Sequence, residues 1–391
     1  MSEPIRIVDF STHLSGPLAT HLLTELGAQV VKVENPRTGD GNRLDGELIE
    51  GIGVMHLALN AGARSLTVDR HSEQWPEIVA ACARWADAVV VGQRPADARR
   101  RGMDFATMQA ANPRIVYCAL SAYGDQGPWR DYTAHGQTMD TFAGLVPVED
   151  GGLQPQTRRG WRTAGTTLGG VFAAMGVLAA LLKRERGVNH AQYVSVSIWQ
   201  SAMWWSWRDL TTLANLGTPW LDYTDLGSRY SFYSTSDGRA MLCAPLEKRF
   251  WERFCDLLGL PPGWKEFGSW DATAMCHGAG EAYNHERPVI AAAIGAHPLD
   301  HWVPLFEAAE IPFAPVLTVQ EAMESEHAEV VGVLRETTVD GKALRIPAVP
   351  IRFAEDDENV PGRLPPLSPP PELGEQRDEL LRELGIEENP S

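Results

Sequence analysis

The chain has 391 residues, 44% hydrophobic and 22% charged, so it is long enough to form two globular domains. Its formal net charge of −17 argues against nucleic acid or an anionic membrane as a partner. The five cysteines are scattered without a CxxC pair, so we expect neither a disulfide framework nor a metal site. No signal-peptide pattern is visible at the N-terminus, and we expect a soluble cytoplasmic protein.

Strand patterns alternate with helical patterns through residues 5–120. The strands are predicted at IRIVDF, AQVVKVE, RSLTVD, ADAVVVG and RIVYCAL. This alternation predicts an α/β fold with a doubly wound parallel sheet, in which ligands bind beyond the carboxyl ends of the strands. We therefore look for a site in loops 11–17, 34–43, 91–96 and 121–137. Neither GxGxxG nor GxxxxGK[ST] follows the first strand, so a dinucleotide fingerprint and a P-loop are not supported.

A long apolar helix is predicted next. Residues 163–182 contain no ionisable side chain and place glycine and alanine at helical spacing. The run approaches the length of a membrane span. Its small residues favour a buried helix of a soluble protein, so we expect no membrane. Further along, residues 229–260 predict a hairpin that turns at Asp237-Gly238 and is followed by a helix.

Several stretches, taken in order, resemble one protein family. They are VDFSTHLSGPLATHLLTELGAQVVKVENPRTGDGNR, LNAGARSLTVD, GMDFATMQAANPRIVYCALSAYGDQGPWRD, GVLAALLKRERG, DGRAMLCAPLEKRFWERFCDLLG and PELGEQRDELLRELG. Their order and spacing, from Ile5 to Gly385, are similar to those of the class III CoA-transferases, the CaiB/BaiF family. Its members include formyl-CoA transferase and the related α-methylacyl-CoA racemase.

The resemblance implies an architecture and a class of substrate. It implies a large Rossmann-like domain formed by both ends of the chain, a smaller α+β domain and an interlocked homodimer. We expect the large domain to comprise residues 1–215 and 326–391, and the small domain residues 220–325. The implied substrates are acyl-CoA thioesters and carboxylic acids that accept CoA.

The catalytic aspartate of this family is missing from the chain. In the transferases it stands just before the apolar helix, and counting back from Leu181 places it at Thr166. The racemases have one more residue in this stretch, which places it at Gly165. That aspartate attacks the thioester to give a mixed anhydride and then an aspartyl-CoA thioester. A threonine hydroxyl would need a base and would relay CoA poorly, so we expect Thr166 to be a helix N-cap.

Three other side chains are candidates for acid–base or carboxylate chemistry. His135 lies where the racemases have a catalytic histidine, and Glu247 lies where they have its carboxylate partner. A neutral histidine is the best general base near pH 7. Asp140 stands where the family usually has glutamine and would supply a relocated carboxylate. The alternative is that Asp140 pairs with an arginine or caps a helix.

The resemblance also implies which residues contact coenzyme A. His13 and Ser15 lie in the loop after the first strand, beside the expected thioester, and Arg101 and Met103 line the nucleotide side. The surviving arginines would meet the phosphates; they are Arg43, Arg64, Arg94 and the run Arg99-Arg100-Arg101. Three family elements are altered here, because NRNKRS reads NAGARS, ENFRPG reads VGQRPA and TGRGQ reads VNHAQ.

Three functions remain open from the sequence. The first possibility is a subunit of a heteromeric class III CoA-transferase whose sister subunit bears the aspartate. The second is an isomerase or lyase that acts on acyl-CoA with His135 and Glu247. The third possibility is a non-catalytic CoA-binding scaffold. The first is preferred because the family signature is intact while the nucleophile is absent.

Overall fold

A computed structural model of the chain describes residues 3–146, 163–218, 227–266, 281–354 and 364–387. The chain divides into two compact units. The first comprises Met1–Leu210 with His327–Ser391, and the second comprises Thr211–Glu326.

The first unit is built on a six-stranded β-sheet. Its strands, numbered in chain order, are β1 (Arg6–Asp9), β2 (Gln29–Glu34), β5 (Arg64–Thr67), β6 (Ala88–Val91), β7 (Val116–Ser121) and β8 (Gln192–Ser197). They are all parallel, in the order β5-β2-β1-β6-β7-β8. The doubly wound parallel sheet is therefore confirmed, and the strand order reverses beside β1, which pairs with β2 on one side and β6 on the other.

Two antiparallel hairpins lie outside this sheet in the first unit. Strands β3 (Leu48–Ile49) and β4 (Ile52–Gly53) form a short hairpin that the sequence did not predict. Strands β12 (Leu334–Val339) and β13 (Lys342–Pro347) form the second hairpin.

The helices are numbered in chain order. They are α1 (Ser15–Glu25), α2 (Val54–Asn60), α3 (Trp75–Trp85), α4 (Pro95–Arg100), α5 (Phe105–Ala111), α6 (Gln137–Phe142), α7 (Ala164–Glu185), α8 (Ile198–Trp205), α9 (Trp207–Leu216), α10 (Lys248–Leu258), α11 (Arg287–Ile294), α12 (Leu299–Ala308), α13 (Val319–Met323), α14 (Glu326–Val331) and α15 (Arg377–Glu383).

Helices cover both faces of the parallel sheet, because successive side chains of a strand point to opposite faces. In β1, Ile7 packs on one face with Leu23 of α1, whereas Val8 packs on the other with Ile78 of α3. Leu381 of α15 belongs to the same core as Val8, so the C-terminal segment completes a core begun at the N-terminus.

Helix α7 is the apolar run noted in the sequence, and its small residues allow close packing. A Cβ added at Gly170 would lie 2.8 Å from the carbonyl oxygen of Ser15, and one at Gly176 would lie 2.6 Å from a methyl group of Val194. Among the described helices, α7 alone is long and apolar enough to cross a membrane, yet half of its most apolar window is buried in the first unit.

The second unit contains a three-stranded antiparallel sheet with helices packed on it. Strands β9 (Ser231–Ser234), β10 (Ala240–Cys243) and β11 (Phe313–Pro315) lie in the order β11-β10-β9. The predicted hairpin at Asp237-Gly238 joins β9 to β10, with Gly238 at φ 75°. Its core contains Trp251 and Phe306, both fully buried.

Candidate functional site

A cavity of about 320 Å³ opens at the carboxyl ends of β1, β2, β5 and β6, where the strand order reverses. This is the position at which doubly wound sheets bind ligands. Its lining residues are Phe10, Ser11, Thr12, His13, Val33, Glu34, Asn35, Thr38, Gly39, Asp40, Gly41, Val68, Arg70, Trp75, Gln93, Arg101 and Met103. Three of the residues expected to contact coenzyme A therefore line this cavity, namely His13, Arg101 and Met103.

One wall of the cavity is aromatic and apolar. The rings of Phe10 and Trp75 meet edge to face, with their centroids 6.2 Å apart. The Trp75 indole N–H donates to the carbonyl oxygen of Arg101 at 2.8 Å, which fixes both the ring and the chain that bears the arginine. Met103 completes the wall and is 3% exposed. Flat apolar walls with a few convergent polar groups are typical of small-molecule sites.

The backbone of His13 is held at the cavity in a left-handed conformation, at φ 67°. Its N–H donates to Asp40 Oδ1 at 2.9 Å, and its carbonyl oxygen accepts from Asn42 Nδ2 at 2.8 Å. Such a conformation costs a non-glycine residue about 1–3 kcal/mol and persists where the surroundings enforce it. Ser15, two residues on, is a buried first residue of α1 and does not line the cavity.

The buried ammonium group of Lys32 forms an ion pair with Asp40, whose carboxylate accepts the hydrogen bond from His13. Lys32 Nζ lies 2.7 Å from Asp40 Oδ2 and 3.2 Å from Asp9 Oδ2, and all three side chains are at most 1% exposed. Burial by itself lowers the pKa of Lys32, but the charges of Asp9 and Asp40 outweigh it and raise that pKa above its usual value. Burial likewise raises the pKa of Asp40, whereas Lys32 and the N–H of His13 lower it, with a net decrease. Lys32 and Asp40 are therefore both charged near neutral pH.

Arg43, which was expected to bind a phosphate, forms a salt bridge with the carboxylate of Glu34. Its guanidinium donates to both oxygens of Glu34, at 2.8 and 2.7 Å, and to the carbonyl oxygen of Pro371 at 3.0 Å. Burial raises the pKa of Glu34, but Arg43 outweighs this and brings the pKa down to about 2. The arginine thus ties the C-terminal segment to the end of β2.

Arg64 and Arg94 are also placed away from the cavity lining. Arg64 donates to both carboxylate oxygens of Glu383 in α15, at 3.1 and 2.6 Å. Arg94 donates to Asp97 at 2.7 Å and to the carbonyl oxygen of Asp131 at 3.0 Å. Of the six arginines expected to meet phosphates, Arg101 is the one that lines this cavity.

Arg70, Trp75 and Gln93 are among the cavity residues that the sequence patterns did not single out. Gln93 lies after β6, in loop 91–96, where a site was predicted. Arg70 and Trp75 follow β5, whose carboxyl end lies outside the four loops predicted to hold the site. The rule that ligands bind beyond the strand ends applied there equally.

At the N-terminus of α7, the two residues predicted to stand at the position of the family aspartate, Thr166 and Gly165, are both buried. The N-cap of α7 is Thr163, so the expectation that Thr166 is the N-cap is wrong. Thr166 lies one turn inside the helix, is 5% exposed, and donates from its hydroxyl to the carbonyl oxygen of Thr163 at 3.1 Å. A Cβ at Gly165 would lie 2.7 Å from Asp140 Oδ1 and 3.0 Å from the carbonyl oxygen of Ile198, which leaves no room for an aspartate.

Asp140 caps α7 from outside the helix. It is fully buried, and its two carboxylate oxygens accept the N–H groups of Ala164 and Gly165, each at 2.9 Å. A carboxylate at the end of a helix satisfies unpaired N–H groups and interacts favourably with the helix dipole. Of the two roles considered for Asp140, the structure shows the helix cap.

The two acid–base candidates lie in different units. His135 is exposed just before α6, and its N–H and carbonyl oxygen both bond the hydroxyl of Thr138. Glu247 is exposed in the second unit, where it is the N-cap residue of α10. Their pairing stays a prediction. In the described parts of the chain, no group of three or more histidine, cysteine, aspartate or glutamate side chains could hold a metal ion.

A sequence model of CoA-transferase family III matches residues 3–377. The chain belongs to this family. Among its relatives, acetyl-CoA:oxalate CoA-transferase of Acetobacter aceti is 24% identical, over 99% of this chain and 96% of the relative. The succinyl-CoA–L-malate CoA-transferase alpha subunit of Chloroflexus aurantiacus is also 24% identical, over 97% of this chain and 88% of the relative.

Solved structures share the fold. A mutant of Rv3272 from Mycobacterium tuberculosis superposes with a TM-score of 0.81 at 24% identity, covering 97% of this chain and 98% of that one. A CaiB/BaiF family protein from Brucella suis gives a TM-score of 0.77 at 20% identity, with the same coverage of both chains. These structures confirm the fold, and the family model confirms the family resemblance noted in the sequence.

Proposed function

We propose that this chain binds coenzyme A and acyl-CoA thioesters at the carboxyl ends of β1, β2, β5 and β6, and takes part in CoA transfer between carboxylic acids. Family membership supports the reaction class. The observation that supports the site is the cavity itself, which combines an aromatic wall at Trp75 with a guanidinium at Arg101. An adenine ring suits the wall, and a phosphate suits the guanidinium.

We further propose that the chain does not supply the nucleophile. In the family, a carboxylate attacks the thioester carbonyl and CoA leaves as the thiolate. The thiolate then attacks the enzyme's carbonyl in the resulting anhydride, which gives an enzyme-bound thioester and releases the donor acid as its carboxylate. Thr166, at the corresponding position, has its hydroxyl bonded to Thr163. Asp140 is nearby, but both of its oxygens are occupied by N–H groups of α7. Neither side chain is available to attack a thioester.

A partner subunit that bears the aspartate is the proposed source of the nucleophile. The relative from Chloroflexus aurantiacus is named as the alpha subunit of its enzyme, which supports a heteromer as one arrangement for this family. An apolar face on α7 and α8 offers a surface for another chain of the same fold, either a second copy or the sister subunit. On this face Met175, Trp204 and Trp205 are each more than half exposed. Exposed aromatic and methionine side chains are enriched at protein interfaces.

The alternative function is proton transfer at the α-carbon of an acyl-CoA, with His135 and Glu247 as acid and base. The observation that favours it is the exposed imidazole of His135, for which no side-chain hydrogen bond or ion pair is formed within the described residues. This reaction leaves the thioester intact, so it is distinguished from CoA transfer by its product.

The test is to purify the native chain, identify copurifying proteins and CoA by mass spectrometry, and assay the chain with and without its partner. Exchange of labelled CoA into succinyl-CoA reports transfer, and exchange of the α-proton with deuterium reports the alternative. We expect no CoA exchange by the chain alone, and exchange when an aspartate-bearing partner is added. Rapid exchange by the chain alone, with hydroxylamine capturing an acyl group on one of its own carboxylates, would overturn the proposal.

A further inference from the structure

Five aromatic side chains form a cluster at the carboxyl ends of β7 and β8. Three follow β7, one ends α6 and one lies in the first turn of α8; they are Tyr123, Trp129, Tyr132, Phe142 and Trp199. Their rings meet edge to face, with centroids between 5.2 Å apart for Trp129 and Phe142 and 6.2 Å apart for Tyr123 and Tyr132. We call this set the aromatic cluster.

The aromatic cluster presents two of its rings at the surface. Tyr132 is 50% exposed and Phe142 is 48% exposed, and both rings pack against Tyr123, which is 7% exposed. The exposed rings are therefore supported by a buried one. A ligand that covers them gains apolar contact and immobilises few side chains, because the rings are already packed.

The aromatic cluster flanks the position that the resemblance predicts for the family aspartate. Asp140, two residues before Phe142 in α6, accepts the N–H of Gly165 at 2.9 Å. The carbonyl oxygen of Ile198, directly before Trp199, would lie 3.0 Å from a Cβ at Gly165. Both α6 and α8 thus meet the start of α7 close to the aromatic residues that they carry. A thioester that reaches the start of α7 has its acyl group beside the aromatic cluster.

The loop that carries Tyr132 is also tied to the cavity. Arg94 donates to the carbonyl oxygen of Asp131 at 3.0 Å, directly before Tyr132. Gln93, the residue before Arg94, lines the cavity. One hydrogen bond and one peptide bond therefore connect the loop of the aromatic cluster with the proposed CoA site.

The charges beside the aromatic cluster do not favour a second carboxylate on the acyl group. Arg94 pairs with Asp97 at 2.7 Å, and Arg130 pairs with Asp131 at 3.1 Å. Both guanidinium groups are thus already matched to carboxylates. A carboxylate that is removed from water needs a cation or hydrogen-bond donors of its own. An uncharged acyl group suits this surface better.

We propose that the aromatic cluster binds the acyl group of the thioester, and that this acyl group carries an aromatic ring and no second carboxylate. Tyr132 and Phe142 are then the specificity-determining residues. This inference rests on the proposed function, since it assumes that the cavity binds CoA and that the thioester extends towards the start of α7.

The experiment is calorimetric titration of the full chain with acetyl-CoA, succinyl-CoA, octanoyl-CoA and phenylacetyl-CoA. The last two have the same number of acyl carbon atoms, so they separate a preference for a ring from a preference for apolar length. An edge-to-face contact between rings strengthens binding by about 2- to 10-fold beyond the burial of apolar surface. With two exposed rings, we expect phenylacetyl-CoA to bind at least about tenfold more tightly than acetyl-CoA. It should also bind more tightly than octanoyl-CoA, and succinyl-CoA should bind no more tightly than acetyl-CoA.

Substitutions at the two exposed rings test the assignment. Phe142→Leu and Tyr132→Leu keep an apolar side chain and remove the ring, so each should reduce the preference for phenylacetyl-CoA over octanoyl-CoA. Tyr132→Phe keeps the ring and should retain the preference. The matched control is Phe353→Leu, on a ring that is 69% exposed beyond β13, and it should bind as the wild type does. Urea unfolding and an unchanged affinity for acetyl-CoA check that each variant is intact.

The outcomes separate this inference from the function on which it rests. If the wild type binds none of the thioesters at millimolar concentration, the proposed function fails. If it binds all of them with equal affinity, the CoA site stands and the acyl site is refuted. Octanoyl-CoA that binds as tightly as phenylacetyl-CoA, or succinyl-CoA that binds more tightly than acetyl-CoA, would refute the aromatic class. A preference for phenylacetyl-CoA that survives both leucine substitutions would place the ring elsewhere and would also refute the inference.

Discussion

Replacement of Lys32 by methionine tests whether the buried ion pairs of Lys32 with Asp9 and Asp40 stabilise the first unit. Methionine has a similar length and no charge, so the variant changes the electrostatics more than the packing. It leaves the carboxylates of Asp9 and Asp40 facing each other with the intervening ammonium removed. Both carboxylates are at most 1% exposed, so water cannot replace the lost charge.

The expected effect is large. Removal of one partner from a buried ion pair typically costs about 3–5 kcal/mol, because the remaining charge is buried without compensation. Lys32 contacts Asp40 at 2.7 Å and Asp9 at 3.2 Å, and it also donates to the carbonyl oxygen of Ser11 at 3.3 Å. We therefore expect the free energy of unfolding to fall by at least about 3 kcal/mol at pH 7.

The effect should depend on pH in a defined direction. In the wild type the pKa of Asp40 is lowered, so its contribution to stability is present above its unfolded pKa of about 3.9 and is lost as the pH falls through the folded pKa. In the variant burial acts without the ammonium, and the pKa of Asp40 rises above its unfolded value. Protonation then relieves the penalty as the pH falls, so the two proteins should converge in stability between pH 7 and pH 4.

The assay is urea unfolding followed by far-ultraviolet circular dichroism at pH 7 and pH 4.5. Lys248→Met is the matched control, because its ammonium lies on the surface, 44% exposed, between Glu252 and Glu266, and should change stability by less than about 1 kcal/mol. Lys32→Met combined with Asp40→Asn should recover part of the loss. A loss below about 1 kcal/mol that is equal at both pH values would refute the reasoning.

The other predictions concern the start of α7. Thr166→Asp combined with Asp140→Gln should give weak CoA exchange in the labelled-CoA assay, since it restores the family carboxylate and removes a competing one. Thr167→Asp, on an exposed neighbour, should give none. Gly165→Asp should lower the free energy of unfolding by about 1–3 kcal/mol, because its Cβ would lie 2.7 Å from Asp140 Oδ1. Asp140→Ala should cost at least about 1 kcal/mol of unfolding free energy, through loss of the cap; unchanged stability would contradict the capping role.

The sequence by itself determined the parallel sheet and the family. Strand periodicity and turn residues are local properties, so the parallel strands and the hairpin at Asp237-Gly238 could be predicted from short windows. The family was visible in the order of its motifs along the whole chain. Counting along the resemblance also places the family aspartate at Thr166 or Gly165, and this stays a prediction.

Only the tertiary structure decided which charged side chains are available to a ligand. Arg43 and Arg64 carry the same charge as Arg101, yet they bind Pro371 and Glu383, which lie more than 300 positions away. Asp140 became a helix cap because the fold brings it to N–H groups that begin 24 positions further along the chain. The role of an ionisable group depends on partners within a few ångströms, and the order of residues along the chain does not specify those partners.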